Sequence, residues 1–561
     1  MKLTLGRYEE AVRRRAAELA PGVERVWRRD ASFWGGDAAR SKSVSNRLGW
    51  LDVAAHMRER AHEIMQFAEQ VRADGFRDAV VLGMGGSSLA PEVLGQSIAD
   101  RGGDGYALLH VLDTTDPATI LATTRAIDPV ATLFFVSSKS GTTIEANALF
   151  AYFHELVRGA KGGRAGENFV AITDEGTSLQ ALAKEHGFRR CFVNPSDIGG
   201  RYSALSYFGL VPAAVAGVDV TRLLDRGVAA MEAANAPDGE ALLLGAALGE
   251  LALAGRDKCT LLVSPAIASF GLWAEQLIAE STGKEGRGIL PVDGEPPAAP
   301  QLYGDDRAFV QLRLDGDDNA TTDVLAAELV AEGHPVIAID LDDAYDLGRE
   351  FFRWEFAVAI AGQVLGINPF DEPNVQESKD NTNRVLREFE SSGVLDASLD
   401  EAGGPVAITT SDHAASGDLR YVLSELLTGV AVPEYVAITA YLMQTAEADA
   451  TFAAIRSAVV DARGVATTLG YGPRFLHSTG QLHKGGPPRG VFLQVTAGDV
   501  EDVAIPGKKF TFGPLKRAQA IGDFHSLVDH ARPVVRVHLG RDIDAGLVAL
   551  RDAVLAAVRV A

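Results

Sequence analysis

Short apolar runs at 79–82, 107–112, 132–136, 169–173 and 191–193 alternate with stretches whose apolar residues recur at helical spacing, as at 89–99 and 145–158. Continuous apolar runs bounded by turn signals read as strands buried on both faces, and the helical stretches between them predict a parallel sheet with helices on both sides. Asp116-Pro117 supplies an N-cap and a first-turn proline ahead of a helix at 118–126. A long helical pattern at 220–254 then separates this set from a second one, with strands at 260–263, 288–292, 308–314 and 335–341 and helices at 270–282 and 322–332. Helical patterns at 345–365 and 374–390 close the second set, and the tail carries further helices and strands at 490–496 and 533–539. The expected organisation is an N-terminal helical segment (1–48), two doubly wound α/β domains (49–219 and 220–393) and a C-terminal α/β region (394–561).

Composition narrows the class. At 561 residues the chain exceeds one compact core, and 47% hydrophobic with 23% charged residues is ordinary for a globular protein. The two cysteines have no paired spacing, which predicts neither a disulfide framework nor a zinc ribbon and makes a reducing compartment, the cytoplasm, the expectation. The start reads as a charged amphipathic helix without the apolar core of a signal peptide. The longest nearly apolar stretch, 208–218, is too short for a bilayer and contains Pro212 and Gly217, so no membrane span is expected. A formal charge of −22 disfavours nucleic acid and anionic lipid as partners. An anionic ligand would need positive potential supplied locally, by helix N-termini and a few placed cations.

Two turns carry candidate chemistry. Gly83-Met84-Gly85-Gly86-Ser87-Ser88 joins a strand to a helix, but the third glycine of a dinucleotide fingerprint falls on Ser88. Ser138-Lys139-Ser140-Gly141-Thr142-Thr143 follows a buried strand and opens a helix. Its hydroxyls and the free N–H groups of the helix start form a nest for a phosphate. It lacks the Gly-Lys-Ser/Thr ending of a nucleotide loop, which disfavours a triphosphate with magnesium.

The blocks GMGGSSLAPE, SSKSGTTIEAN, GGRYSALS, EQLIAESTGK and NPFDEPNVQESK, in that order, resemble the phosphoglucose isomerases. That family is built on sugar-isomerase (SIS) domains, and the isomerase half of fused transaldolase–phosphoglucose isomerases is the nearest likeness. The resemblance runs from about Gly49 to the C-terminus and implies two SIS-type parallel-sheet domains. It places Gly85, Gly86 and Ser87 at the sugar, Ser138, Ser140 and Thr143 on the phosphate with Lys139 beside them, and Arg201 near the reacting carbons. Glu280 matches the general base, with Gln276 on the same helical face, and Lys379 matches the lysine that acts at the ring oxygen. Gly283 ends that helix, whose negative pole is expected to keep Glu280 basic.

One block departs from the family. Its Gly-Gln-His-Ala-Phe histidine, contributed across a dimer interface, falls here on Arg307 in Asp305-Asp306-Arg307-Ala308-Phe309. His477 or His483, in Arg474-Phe475-Leu476-His477-Ser478-Thr479-Gly480-Gln481-Leu482-His483, are the substitutes, His477 favoured for its Phe475-Leu476 anchor. The activity implied is interconversion of glucose 6-phosphate and fructose 6-phosphate through a cis-enediol, without metal or cofactor, in a homodimer. A non-catalytic sugar-phosphate sensor, or an isomerase that also accepts mannose 6-phosphate, are the alternatives.

Overall fold

The computed structural model describes residues 1–99, 105–395, 406–410 and 418–559. Among these described residues, fifteen strands make three five-stranded sheets. In chain order they are β1 (Lys2–Thr4), β2 (Asp78–Leu82), β3 (Leu108–Leu112), β4 (Thr132–Ser137), β5 (Phe169–Asp174) and β6 (Arg190–Asn194), then β7 (Lys258–Val263), β8 (Leu290–Val292), β9 (Arg307–Leu314) and β10 (Val336–Leu341). The last five are β11 (Val406–Thr410), β12 (Tyr435–Tyr441), β13 (Ala466–Tyr471), β14 (Gly490–Ala497) and β15 (Val534–Leu539).

The first sheet runs β3-β2-β4-β5-β6 and is parallel throughout, as its unbroken apolar strands require. The second runs β1-β10-β9-β7-β8, and the third β11-β15-β14-β12-β13. Each of these two is parallel except for an antiparallel edge strand, β1 or β11. The chain's start therefore departs from the expected helix. Lys2–Thr4 is a strand paired with Val336–Ala338, and the helix begins only at Glu9. The pattern at 220–254 resolves into two helices, Val220–Ala233 and Glu240–Leu253. The apolar stretch around Pro212 is a wholly buried helix, Tyr207–Val215, that continues through the proline. Among the described residues no helix is long and apolar enough to cross a membrane.

The first two sheets share one apolar core, which holds Val81 and Leu133 of the first with Val310 and Ile337 of the second, and close helix packing completes it on the second sheet's side. Helix Glu240–Leu253 presents Gly245 and Gly249 to helix Leu347–Leu365, where a Cβ would lie 2.4 Å from the Ala357 carbonyl oxygen and 2.6 Å from Val364 Cβ. The third sheet has its own apolar core and meets the second across a smaller apolar cluster that includes Leu290, Val292, Ala437 and Phe492, with buried polar contacts beside it. Lys516 donates to Asp116, the expected N-cap of helix Pro117–Ala126, at 2.8 Å. Arg307 ties the second sheet to the third. It is fully buried in β9, with Nη2 2.9 Å from Glu295 and Nη1 donating to Thr260 in β7 at 2.9 Å. Glu295 in turn accepts from Thr467 N and Oγ1 in β13, at 2.7 and 2.8 Å. The residue aligned with the family histidine is thus a structural cation between two sheets. Arg307→Ala strands the buried Glu295 carboxylate, so we expect a loss of about 3–5 kcal/mol of stability. Urea titration checks this, and a loss under about 1 kcal/mol would contradict the weld.

Candidate active site

Strand β4 is buried along its whole length and delivers the loop 138–143 at its C-terminal edge, the side on which parallel sheets bind ligands. Gly141 turns the loop with φ +69°, and a Cβ there would lie 2.8 Å from Leu179 N, so only glycine fits. Ser138 Oγ accepts from Gly141 N at 3.1 Å and shares a hydrogen bond with Thr143 Oγ1 at 2.9 Å. Ser140 and Thr142 pair their hydroxyls at 2.8 Å on the exposed side. Helix Ile144–Lys161 then starts from Thr143, which makes no side-chain cap, leaving its first N–H groups and dipole to face a ligand.

That helix start opens on a cavity of about 260 Å³, whose lining includes Thr142, Thr143, Glu145, Lys379, His477 and Gln519. Lys379 extends from helix Pro373–Ser392, exposed. Lys139 does not join it. Its ammonium is bound to Asp174 and, at 2.8 Å, to the Ser196 carbonyl, so its sequence proximity to the hydroxyls is not proximity to the cavity.

His477 ends a short 3-10 turn, Arg474–His477, at the C-terminal edge of β13. Its Nε2 lies 3.3 Å from Glu145 Oε1, which also accepts from Gln519 Nε2 at 2.7 Å, and Gln519 accepts from Thr115 Oγ1 at 2.6 Å. Burial pushes the Glu145 carboxyl up, but the His477 hydrogen bond and the nearby Lys379 outweigh it and hold the group below its usual range. His483 lies elsewhere. Its ring is buried against Phe492 with centroids 5.0 Å apart, and burial beside Lys484 and Arg532 drives its pKa well down.

The glycine turn after β2 brings three distant segments together. Gly85 has φ +53°, and a Cβ on it would lie 2.6 Å from Gln276 Nε2 and 3.0 Å from the His477 carbonyl oxygen. At Gly86 a Cβ would lie 1.9 Å from the Gly200 carbonyl oxygen, so the turns at 85–88 and 199–203 touch backbone to backbone. Ser87 lies half-buried beside them. From the second turn Arg201 is buried with its Nη1 3.3 Å from Glu280 Oε1. Gln276 links this carboxylate to the histidine turn, with Nε2 donating to Glu280 Oε2 at 3.0 Å and to the His477 carbonyl at 2.7 Å. The Glu280 carboxyl is raised above its ordinary range. Burial is the main cause, opposed by Arg201 and reinforced by Glu372. Gly283 does cap the helix Phe270–Thr282, yet desolvation rather than helix polarity dominates.

The family model for phosphoglucose isomerase matches residues 38–287. A glucose-6-phosphate isomerase of Rubrobacter xylanophilus is 31% identical over 372 residues, spanning 57% of this chain and 85% of that protein. One from Staphylococcus saprophyticus is 30% identical over 392 residues, with 61% and 87% covered. The chain belongs to the phosphoglucose isomerase family. Among solved structures, a hypothetical protein of Thermus thermophilus superposes with a TM-score of 0.60 at 26% identity, covering 69% of this chain and 99% of that one. The glucose-6-phosphate isomerase of Chlamydia trachomatis shares the fold at a TM-score of 0.50 and 22% identity, with 60% and 74% covered.

For a phosphoglucose isomerase, the grouping of residues is informative. Gly85, Gly86, Arg201, Gln276, Glu280 and His477 converge around one buried polar cluster, and Thr143, Lys379 and His477 meet at the adjoining cavity. Ser138 and Ser140 stiffen the loop behind Thr143 and Thr142. Three polar residues of this cluster were not among the expected ones: Glu145, Gln519 and Glu372. Glu145 had a signal, since it falls inside the SSKSGTTIEAN block at the first turn of a helix. Gln519 had none.

Proposed function

We propose that this chain interconverts D-glucose 6-phosphate and D-fructose 6-phosphate by proton transfer between C2 and C1. The observation that carries the reading is the buried Glu280 carboxylate, paired with Arg201 and one hydrogen-bonded step from the histidine turn. The phosphate sits at the start of helix Ile144–Lys161 against Thr142, Thr143 and the Ser138–Ser140 loop, so a group that does not react positions the carbons that do. Lys379 and His477 line the same cavity and open the ring, with Glu145 orienting the imidazole. Glu280, made more basic by burial, removes the proton from C2 and returns it to C1. The Arg201 guanidinium faces the charge that develops on the enediol oxygens.

The resemblance implies a dimer with a shared site. Here His477 comes from the same chain as Glu280, carried in by the third sheet, which supports a site whose acid–base groups all belong to one protomer. Turnover of purified protein on both 6-phosphates in D₂O tests the reading. Interconversion with deuterium appearing at C2 of recovered glucose 6-phosphate is expected, and no turnover of either sugar would reject it.

A further inference from the structure

Arg201 carries five N–H donors. Nε donates to Ser281 Oγ at 2.8 Å, and Nη2 donates to the Pro369 and Asp371 carbonyls at 2.8 and 3.0 Å. Only Nη1 remains, and two carboxylates approach it. Glu372 Oε2 accepts from it at 3.0 Å, while Glu280 Oε1 lies 3.3 Å away. The two carboxylates differ in freedom. Glu280 is 9% exposed on a packed helix, whereas Glu372 is 37% exposed at the end of the loop that leads into helix Pro373–Ser392.

We propose that Glu372 is a positioning residue for the isomerisation: it shares Arg201 Nη1 with Glu280, so that the guanidinium is not committed to the base alone. The inference rests on the reading of Glu280 as base. With Nε and Nη2 fixed by Ser281, Pro369 and Asp371, the guanidinium can answer a new anion only through Nη1. Glu372, the more exposed of the two partners there, is the one able to yield that donor when an enediolate forms. Its charge also opposes the pull of Arg201 on Glu280.

Other charged and titratable groups surround the pair, among them the buried Glu355 of helix Leu347–Leu365, which acts on Tyr202. Tyr202 flanks Arg201 on the turn, and His477 faces Glu280 from the 3-10 turn. Lys284, from the turn after helix Phe270–Thr282, is tied to Asp371 of the loop at 2.9 Å and pushed down to about 8, chiefly by burial. None of these competes for Nη1.

The test compares wild type, Glu372→Gln and Glu372→Asp by kcat, KM and the pH profile of kcat/KM with glucose 6-phosphate, alongside melting curves. Glu372→Gln leaves Glu280 as the only anion on Nη1. Its acid limb should move to lower pH by about half a unit or more, as expected for loss of a neighbouring like charge. Its kcat should fall about two- to fivefold, as a weaker base predicts, with KM nearly unchanged. Glu372→Asp keeps the charge and should keep the limb. The substrate's own phosphate ionisation is common to all three proteins. An unmoved or raised limb in Glu372→Gln, an equal shift in Glu372→Asp, or a fall in kcat that tracks only a lowered melting temperature would each overturn the proposal. Should Glu280→Gln itself retain turnover, the base assignment fails instead, whatever Glu372→Gln does.

Discussion

Glu280→Gln is expected to lower turnover by about 10²–10⁴-fold, the usual contribution of a general base, while 6-phosphosugar still binds. The substitution is isosteric. Gln276 can donate to the new amide oxygen as it now donates to Glu280 Oε2, and Arg201 keeps Glu372 as its counter-ion. No charge is left buried without a partner, and one desolvated carboxylate is removed, so the fold should tolerate the change. The proposed phosphate contacts, Thr142 and Thr143, line the cavity with His477 and do not include the substituted residue. Titration calorimetry with fructose 6-phosphate, beside a coupled assay, separates the two effects. Turnover near wild type would remove Glu280 from the mechanism. Loss of binding together with turnover would make it a structural residue.

The second large effect is expected at Gly86. A methyl there would sit 1.9 Å from the Gly200 carbonyl oxygen and 2.2 Å from its carbon, both backbone atoms that no rotamer change can move. The turns at 85–88 and 199–203 must part for Gly86→Ala to fold. Overpacking of this kind costs about 1–3 kcal/mol. The displacement also carries Arg201 away from Glu280, and misplacement by about 1 Å is worth roughly 10²-fold in rate. Gly159→Ala is the control, since it lies exposed within helix Ile144–Lys161 with nothing inside 4 Å of the new atom. It should be neutral or stabilising by up to about 1 kcal/mol. A Gly86→Ala protein with the activity and stability of that control would refute the contact.

The first two sheets were legible because their central strands, such as Thr132–Ser137, are apolar without interruption, and because Gly283 marks the end of helix Phe270–Thr282. The edges were harder to read. Lys2–Thr4 is three residues long and none of them is fully buried, so its pairing with β10 depends on a partner more than 300 positions away. At the site, the loop 138–143 and the segments that carry Arg201 and Glu280 were visible as motifs, though not the ion pair between the two residues. Gln519 was not, because its contact with Glu145 spans 374 positions and only the packing of helix Phe512–Asp529 closes it. Lys139 shows the converse, a partner the motif did not announce. It stands in the right motif, but Asp174, on the neighbouring strand, claims its charge. Arg307 occupies the aligned place of a histidine and serves a different end, because β9 buries it between two sheets.

The manner in which the third sheet is attached has a kinetic consequence. The proposed base, Glu280, and its partner Arg201 belong to segments rooted in the first two sheets, whereas the His477 imidazole arrives on a turn rooted in the third. That turn is held by Gln276 and Glu145, and the sheet behind it by an apolar cluster shared with Leu290 and Val292, by the Arg307–Glu295 pair and, through helix Phe512–Asp529, by Lys516–Asp116. A fluctuation that lifts the third sheet would therefore withdraw ring opening before it disturbed enolisation. Such a partly open molecule would process the scarce open-chain sugar yet stall on the cyclic anomers, so the two halves of one reaction cycle would differ in their resistance to heat and denaturant.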